Sequence, residues 1–261
     1  MDEGEFLSLH QLQSAINDDD DEDLVRPMSV EATPPYKMHS NILRQSGYLV
    51  SVISERDFIQ RGGKLLDYGI YYINQTEQSN HHVLPFSETV ALLGIPMLHV
   101  SNFFEPESEL IDNLKTHPEL CYISDISAIH CESICEILRK FKDFFDHCES
   151  HYLLLLNIEP KGDGRYKKIY PTPRFTLPGG TMEECDSNDF LQCALREFQE
   201  ETHIELTDNY TLIQSKKIIR DIRKKKKQKF EIFSRRSSFS QPYQSKPTKI
   251  VSLYFAVRIK C

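Results

Sequence analysis

Apolar residues fall along this chain in three textures, and each predicts a different kind of element. Short dense runs such as "GYLVSVI" at 47–53 and "YGIYYI" at 68–73 have the β-branched and aromatic composition of strands. In 131–148, Ile134, Ile137, Leu138, Phe141, Phe144 and Phe145 recur at helical spacing, which predicts one helix with a single core-facing stripe. "ETVALLGIPMLHV" at 88–100 fits neither period and is left unassigned. From residue 151 the texture changes. "HYLLLLNIE" reads as a buried strand, "PKGDGRYKKIYPTP" as a polar loop in which "GDG" marks a turn, and "RFTLPGG" as a strand ending in a turn. A helix follows, and then three strands, "YTLIQSKKIIRDI", "KFEIFSRR" and "KIVSLYFAVRI". No internal repeat is present. The expected class is α/β, divided into an acidic unstructured tail over 1–40, an N-terminal α/β region over 41–150, and a second domain over 151–261.

Composition narrows the class. The 261 residues are 39% hydrophobic and 27% charged, which fits a soluble globular chain. The net charge of −8 is unevenly spread, with "NDDDDEDL" at 17–24 and "RKKKKQK" at 223–229. The acidic run repels itself and "EATPPYK" cannot continue a helix, hence the expected tail. Seven cysteines without a framework spacing suggest reduced thiols in a cytoplasmic or nuclear protein. The acidic N-terminus has no apolar signal core, so secretion is not expected, and the longest aliphatic run, Leu153 to Leu156, is far too short for a membrane span.

Chemistry concentrates in "LPGGTMEECDSNDFLQCALREFQEETHIEL", residues 177–206. Asp and Ser near its middle are N-cap types, and Leu191, Ala194, Leu195 and Phe198 then recur on one side of a helix. Glu197, Glu200 and Glu201 stand at i, i+3 and i+4, which stacks three carboxylates together. Such like charges repel by a few tenths of a kcal/mol per pair. Arg196 can offset one of them, and a hard divalent cation, Mg²⁺ or Mn²⁺, can offset the rest. Clustered glutamates are usually no more than a solvated helix face. Here they follow an apolar strand, a Gly-Gly turn that permits close backbone approach, and an acidic loop.

These residues resemble the signature of the Nudix hydrolases, G-x5-E-x7-R-E-U-x-E-E-x-G-U with U apolar. Gly180 fits the glycine, Asp186 the first acid, and Arg196, Glu197, Phe198, Glu200, Glu201 and Ile204 the remainder. Three departures stand out: Asp186 replaces Glu, nine residues rather than seven separate it from Arg196, and His203 replaces the last glycine. If that last position is left-handed, the histidine is strained by roughly 1 kcal/mol. The resemblance implies a mixed sheet sandwiched by helices, with the N-terminal region as an extension or insertion. It also implies a pyrophosphohydrolase of nucleoside diphosphate derivatives that uses Mg²⁺ or Mn²⁺. Carried over, Glu197, Glu200, Glu201 and the Gly180 carbonyl become metal ligands. Glu197 and Glu200 with Arg196 become the catalytic set, and Asp186 a possible additional acid. Members of the family usually continue beyond a strand like "KIVSLYFAVRI", so either 41–150 supplies the missing layer or the fold is incomplete. "GYLVSVI" could join the same sheet, and the 131–148 helix could close it.

Two further features bear on function. Lys216 to Arg236 holds eleven Lys or Arg against two acids. That fits a solvated hairpin, a nuclear address, or contact with RNA phosphates through Lys224, Lys225, Lys226 and Lys227. His130, Cys131, Cys135, His147 and Cys148 match no common zinc spacing. The leading expectation is a Nudix enzyme acting on the 5′ cap of mRNA, and the wording of the motif is similar to Nudix proteins of large DNA viruses, which would act in the host cell. The alternatives are a pyrophosphatase of ADP-ribose or another small nucleotide, and a non-catalytic Nudix scaffold that binds nucleotide or a protein partner. No membrane partner and no DNA sequence recognition are expected, and nothing in the sequence speaks to oligomeric state.

Overall fold

In a computed structural model, the residues described are 42–75, 91–105, 107–120, 132–159, 173–221 and 248–260. The expected tail, the "KFEIFSRR" strand, the "GDG" loop, His130, Cys131 and Lys224 to Lys227 lie outside them.

Nine strands form one mixed sheet among these residues. They are β1 (Ile42–Ser54), β2 (Lys64–Leu65), β3 (Tyr71–Asn74), β4 (Ala91–Pro96), β5 (Tyr152–Glu159), β6 (Arg174–Thr176), β7 (Gly179–Thr181), β8 (Tyr210–Asp221) and β9 (Lys249–Ile259). The order is β2-β3-β4-β5-β1-β9-β8, with β6 on β5 and β7 on β1. β1 and β9 run parallel and the other pairs antiparallel. The helices are α1 (Glu55–Gln60), α2 (Met97–Val100), α3 (Glu109–Thr116), α4 (Glu132–Arg139), α5 (Lys142–Asp146) and α6 (Phe190–Thr202). No helix among the described residues is long and apolar enough to cross a membrane.

The four consecutive leucines of β5 follow from this layering. Leu153 and Leu155 pack under α6 with Leu49, Leu253, Phe255, Ala194 and Phe198, whereas Leu154 and Leu156 pack with Val50, Val52, Ile111, Leu138 and Phe141 on the other side. A strand covered on both faces reads as a continuous apolar run, because the alternation of faces is no longer an alternation of polarity. This is the expected α/β class: a large mixed sheet flanked by helices, with a strand-containing N-terminal extension.

The extension reaches the centre of the sheet. "GYLVSVI" belongs to β1, which lies between β5 and β9 and also carries β7. Gly47 is the point where α6 crosses β1. A β-carbon there would overlap the Phe190 carbonyl oxygen and lie 2.8 Å from the Ala194 nitrogen, so only glycine allows the helix this close.

Three local expectations need correction. The 131–148 helix is two helices. The chain tightens at the break, where Lys140 N–H donates to Ile137 O and Phe141 N–H to Leu138 O. Restarting there leaves Phe141, Phe144 and Phe145 all buried. In "YGIYYI" the strand starts only at Tyr71. Asp67–Gly69 is a 3₁₀ turn, with Tyr68 at φ 63°. The turn after "RFTLP" is itself paired: Gly179–Thr181 is a short strand whose Gly180 registers with Gly47. The unassigned 88–100 stretch contains β4 followed by α2.

Candidate active site

α6 starts where local chemistry says it should. The Asp189 side chain caps it, accepting from Leu191 N–H at 2.8 Å and Gln192 N–H at 3.4 Å. Leu191, Ala194 and Phe198 are buried and Leu195 half-buried, as the stripe predicts. At the other end His203 stands in the left-handed region at φ 57°, so the departure from glycine falls where it carries strain. The last carbonyls are used: Gln199 O accepts from His203 N–H, Phe198 O from Thr202 Oγ1, and Glu201 O from Gln75 Nε2.

The two extra residues of the loop form a turn. Ser187 and Asn188 are both left-handed, at φ 52° and 66°, between the 3₁₀ turn Glu184–Asp186 and the Asp189 cap. Asp189 N–H closes it on Asp186 O at 2.8 Å. This reversal keeps Asp186 beneath Arg196 despite the longer spacing.

Arg196 is the knot of the site. Its Nε and Nη2 donate to Asp186 at 2.9 and 3.0 Å, its Nη1 to Glu200 at 3.2 Å, and its Nη2 to Glu197 and to Thr181 O at 3.1 Å each. The guanidinium beside Asp186 holds that buried carboxyl below its ordinary value, with the Glu183 N–H helping and burial opposing. The hydrogen bond to Asp186 is also the largest reason that the Arg196 pKa is raised.

The three glutamates are not equivalent. Glu197 is half-buried against the Gly-Gly turn, where a β-carbon at Gly180 would come within 2.5 Å of its carboxylate. Burial raises its pKa, with the Arg196 charge opposing. Glu200 is exposed and bound to Arg196. Glu201 is 5% exposed and turns into the protein, accepting from Asn157 Nδ2 at 2.7 Å and Gly179 N–H at 3.0 Å. Burial pushes it up to about 8, and the charges of Glu159 and Glu197 add to the rise. The Gly180 carbonyl accepts from Cys193 Sγ at 3.6 Å. Burial drives the Cys193 thiol up to about 12, so it stays protonated.

The structure thus brings Asp186, Arg196, Glu197 and Glu200 together on one side of α6 and Glu201 onto the Gly179 turn. Among the described residues no three acidic, His or Cys side chains are already gathered as a metal cluster. The donors nonetheless fit a hard divalent cation. Carboxylates and a backbone carbonyl supply oxygen only, and the missing side chain at Gly180 lets the Glu197 carboxylate lie directly against the turn. Beside Glu201, the buried Asn157 Oδ1 has no hydrogen-bond partner among the described residues. Away from this site, Cys148 donates to Phe144 O and His147 Nδ1 lies 2.6 Å from Asp143 O, local contacts just past the end of α5.

The sequence reading missed Asn157, Gln75 and Glu159. One signal was available for Asn157, a polar residue inside an otherwise aliphatic strand. Gln75, 126 positions from the Glu201 carbonyl it binds, left none.

Comparison with protein-family models matches residues 149–254 to the family described as NUDIX domain. Comparison with curated proteins and with solved structures gives no match. Enzymes with this domain generally use a divalent metal such as Mg²⁺ or Mn²⁺ and act on pyrophosphate bonds. Over residues 149–254 the chain is thus similar to a Nudix domain.

Proposed function

We propose that the protein is a divalent-metal-dependent hydrolase of a pyrophosphate bond in a nucleoside diphosphate derivative. The observation that carries this reading is the seating of Glu197 and Glu201 against the Gly179–Gly180 turn, two carboxylates withdrawn from water where the absence of side chains lets them reach the backbone. Glu197, Glu200, Glu201 and the Gly180 carbonyl would hold Mg²⁺ or Mn²⁺. When bound, the cation supplies charge neutralisation on the phosphate oxygens and a more acidic water.

The chain's own residues do the rest. Arg196 fixes the rotamers of Glu197 and Glu200 from its anchor on Asp186. Asn157 and the Gly179 N–H orient Glu201. With a raised pKa, Glu197 is suited to accept a proton from the attacking water. Among substrates we favour the 5′ cap of mRNA, because the basic stretch 216–236 offers cations to an RNA backbone.

The test is hydrolysis of a panel of capped RNA, ADP-ribose and dinucleoside polyphosphates with Mn²⁺ or Mg²⁺, alongside Glu201→Gln. Turnover should vanish in excess chelator and fall about a hundredfold or more in the variant. Full activity in chelator, or no turnover of any panel member, would overturn the reading. Preference for ADP-ribose over capped RNA would overturn the cap alone.

A further inference from the structure

β1, β9 and β8 lie side by side, and their registers align row by row. Arg44, Ile250 and Arg220 stand opposite one another, then Ser46, Ser252 and Ile218, then Tyr48, Tyr254 and Lys216. Residues in register or two apart along a strand share a face, so these nine positions form one patch. The next row on β1 and β9, Val50 with Ala256, is fully buried. The stacked rings of Tyr48 and Tyr254, 4.9 Å apart, close the core there, and beyond them the face opens to water. Arg44 and Arg220 are exposed and Lys216 is half-buried.

The patch has the opposite charge to the chain. The sequence holds 39 acidic and 31 basic residues, yet these nine positions hold three cations and no carboxylate. Among the described residues none of the three cations has an ion-pair partner. Arg44 is oriented from one side only: its Nε donates to Ser46 Oγ at 3.1 Å, and the same hydroxyl hydrogen-bonds the Tyr48 side chain. Strand spacing sets the Arg44 and Arg220 backbones roughly 10 Å apart, with Lys216 roughly 13 Å further along β8. Cations spread over this length suit a chain of phosphates better than one small anion. The patch also adjoins the active-site turn, since across the other edge of β1 Ser46 stands opposite Thr181 and Tyr48 opposite Gly179. At its far side β8 ends at Asp221, and the sequence runs into "RKKKKQK" two residues later.

We propose that Arg44, Lys216 and Arg220 form a phosphate track on this face of the sheet that holds the RNA chain of the substrate. This rests on the RNA-substrate reading above and gives it a surface outside the metal site.

The track can be read without cap, metal or turnover. The probe is a fluorescein-labelled, uncapped single-stranded 12-mer of uridine, titrated with the full chain in excess chelator and followed by anisotropy across a salt series. Arg44→Gln with Arg220→Gln removes two charges from the patch at exposed positions. Lys217→Gln with Lys249→Gln is the charge-matched control, because both lysines are exposed and lie one residue out of step, on the opposite face. The patch variant should flatten the dependence of log Kd on log salt by about 1.4, as each single-strand phosphate contact carries about 0.7, and lose roughly tenfold or more in affinity at low salt. Adding Lys216→Gln should flatten it by about 0.7 more. The control should keep the wild-type slope. No binding by the wild-type chain, a wild-type slope in the patch variant, or equal flattening in both variants would overturn the inference. So would a lower melting temperature of the patch variant with no RNA present, which would mean that the patch holds an acidic segment of this chain such as 17–24. Capped RNA hydrolysed with an unchanged KM in the patch variant sinks the track and leaves the cap reading standing. A wild-type chain that binds the 12-mer through the patch yet hydrolyses no panel substrate does the reverse.

Discussion

The Glu197 carboxylate fills the space beside Gly180 that a β-carbon would need. Helix and turn are thereby locked at one point, with no slack for a methyl group. Gly180→Ala must push the carboxylate aside or open the turn. A displacement on the order of 1 Å in a catalytic group costs about a hundredfold in rate. The helix itself is held elsewhere, through Leu191, Ala194 and Phe198. The variant should therefore keep its circular dichroism and lose roughly two orders of magnitude in turnover of the best panel substrate. Wild-type turnover would mean that Glu197 works from some other position.

What the sequence disclosed follows contact distance along the chain. α6 was legible because its cap, its stripe and its glutamates are neighbours, and the Arg196–Glu200 pair is an i, i+4 contact. The bond from Arg196 to Asp186 was not, because the turn at Ser187 and Asn188 sets how far back the chain folds. Nor was the bond from Asn157 to Glu201, 44 residues apart. Strand composition identified β1 and β9 separately, but nothing local says that they pair, in parallel, across some 200 residues of chain. The β5 leucines showed a buried strand and could not show that two separate cores share it.

His203 offers a stabilising change. It closes α6 in the left-handed region, where a side chain costs about 1 kcal/mol that glycine does not incur. Its N–H bond to Gln199 O needs only the backbone and survives substitution. His203→Gly should raise the melting temperature by roughly 2–4 °C, and thermal unfolding reads it directly. A lower melting temperature would reveal a side-chain contact of His203 that outweighs the strain.

The cap reading makes a separable claim about Lys224 to Lys227. If they follow an RNA backbone, replacing all four by alanine should weaken long capped RNA and flatten its salt dependence, since each lost phosphate contact removes nearly one unit of slope. ADP-ribose and a free cap dinucleotide are short, and steering of small anions is modest where screening acts over about 8 Å. Their hydrolysis should hardly change. Rates on both substrate lengths across a salt series decide it, and equal losses on both would remove RNA tracking as the role of these lysines.

Glu201 and the metal should compete through protons. Burial pushes the Glu201 carboxyl from 4.5 up to about 8, and Glu197 is raised for the same first reason. Between the unfolded and folded values, the native state binds more protons than the unfolded chain, so stability falls as pH rises through that window and levels above it. Asp186 has the opposite sign. Arg196 lowers it from 3.8, so its contribution is present above that value and is lost as pH falls through the folded one, outside the window. In chelator, the melting temperature should therefore decline between about pH 5 and about pH 8. A divalent cation displaces the proton and stabilises the charged form, so added Mg²⁺ should raise the melting temperature more near pH 8 than near pH 5. Glu201→Gln carries no charge at either pH and should weaken both responses, leaving only the part that Glu197 contributes. A melting temperature in chelator that climbs with pH over this range, or a variant slope as steep as wild type, would show that Glu201 is already ionised in the metal-free fold.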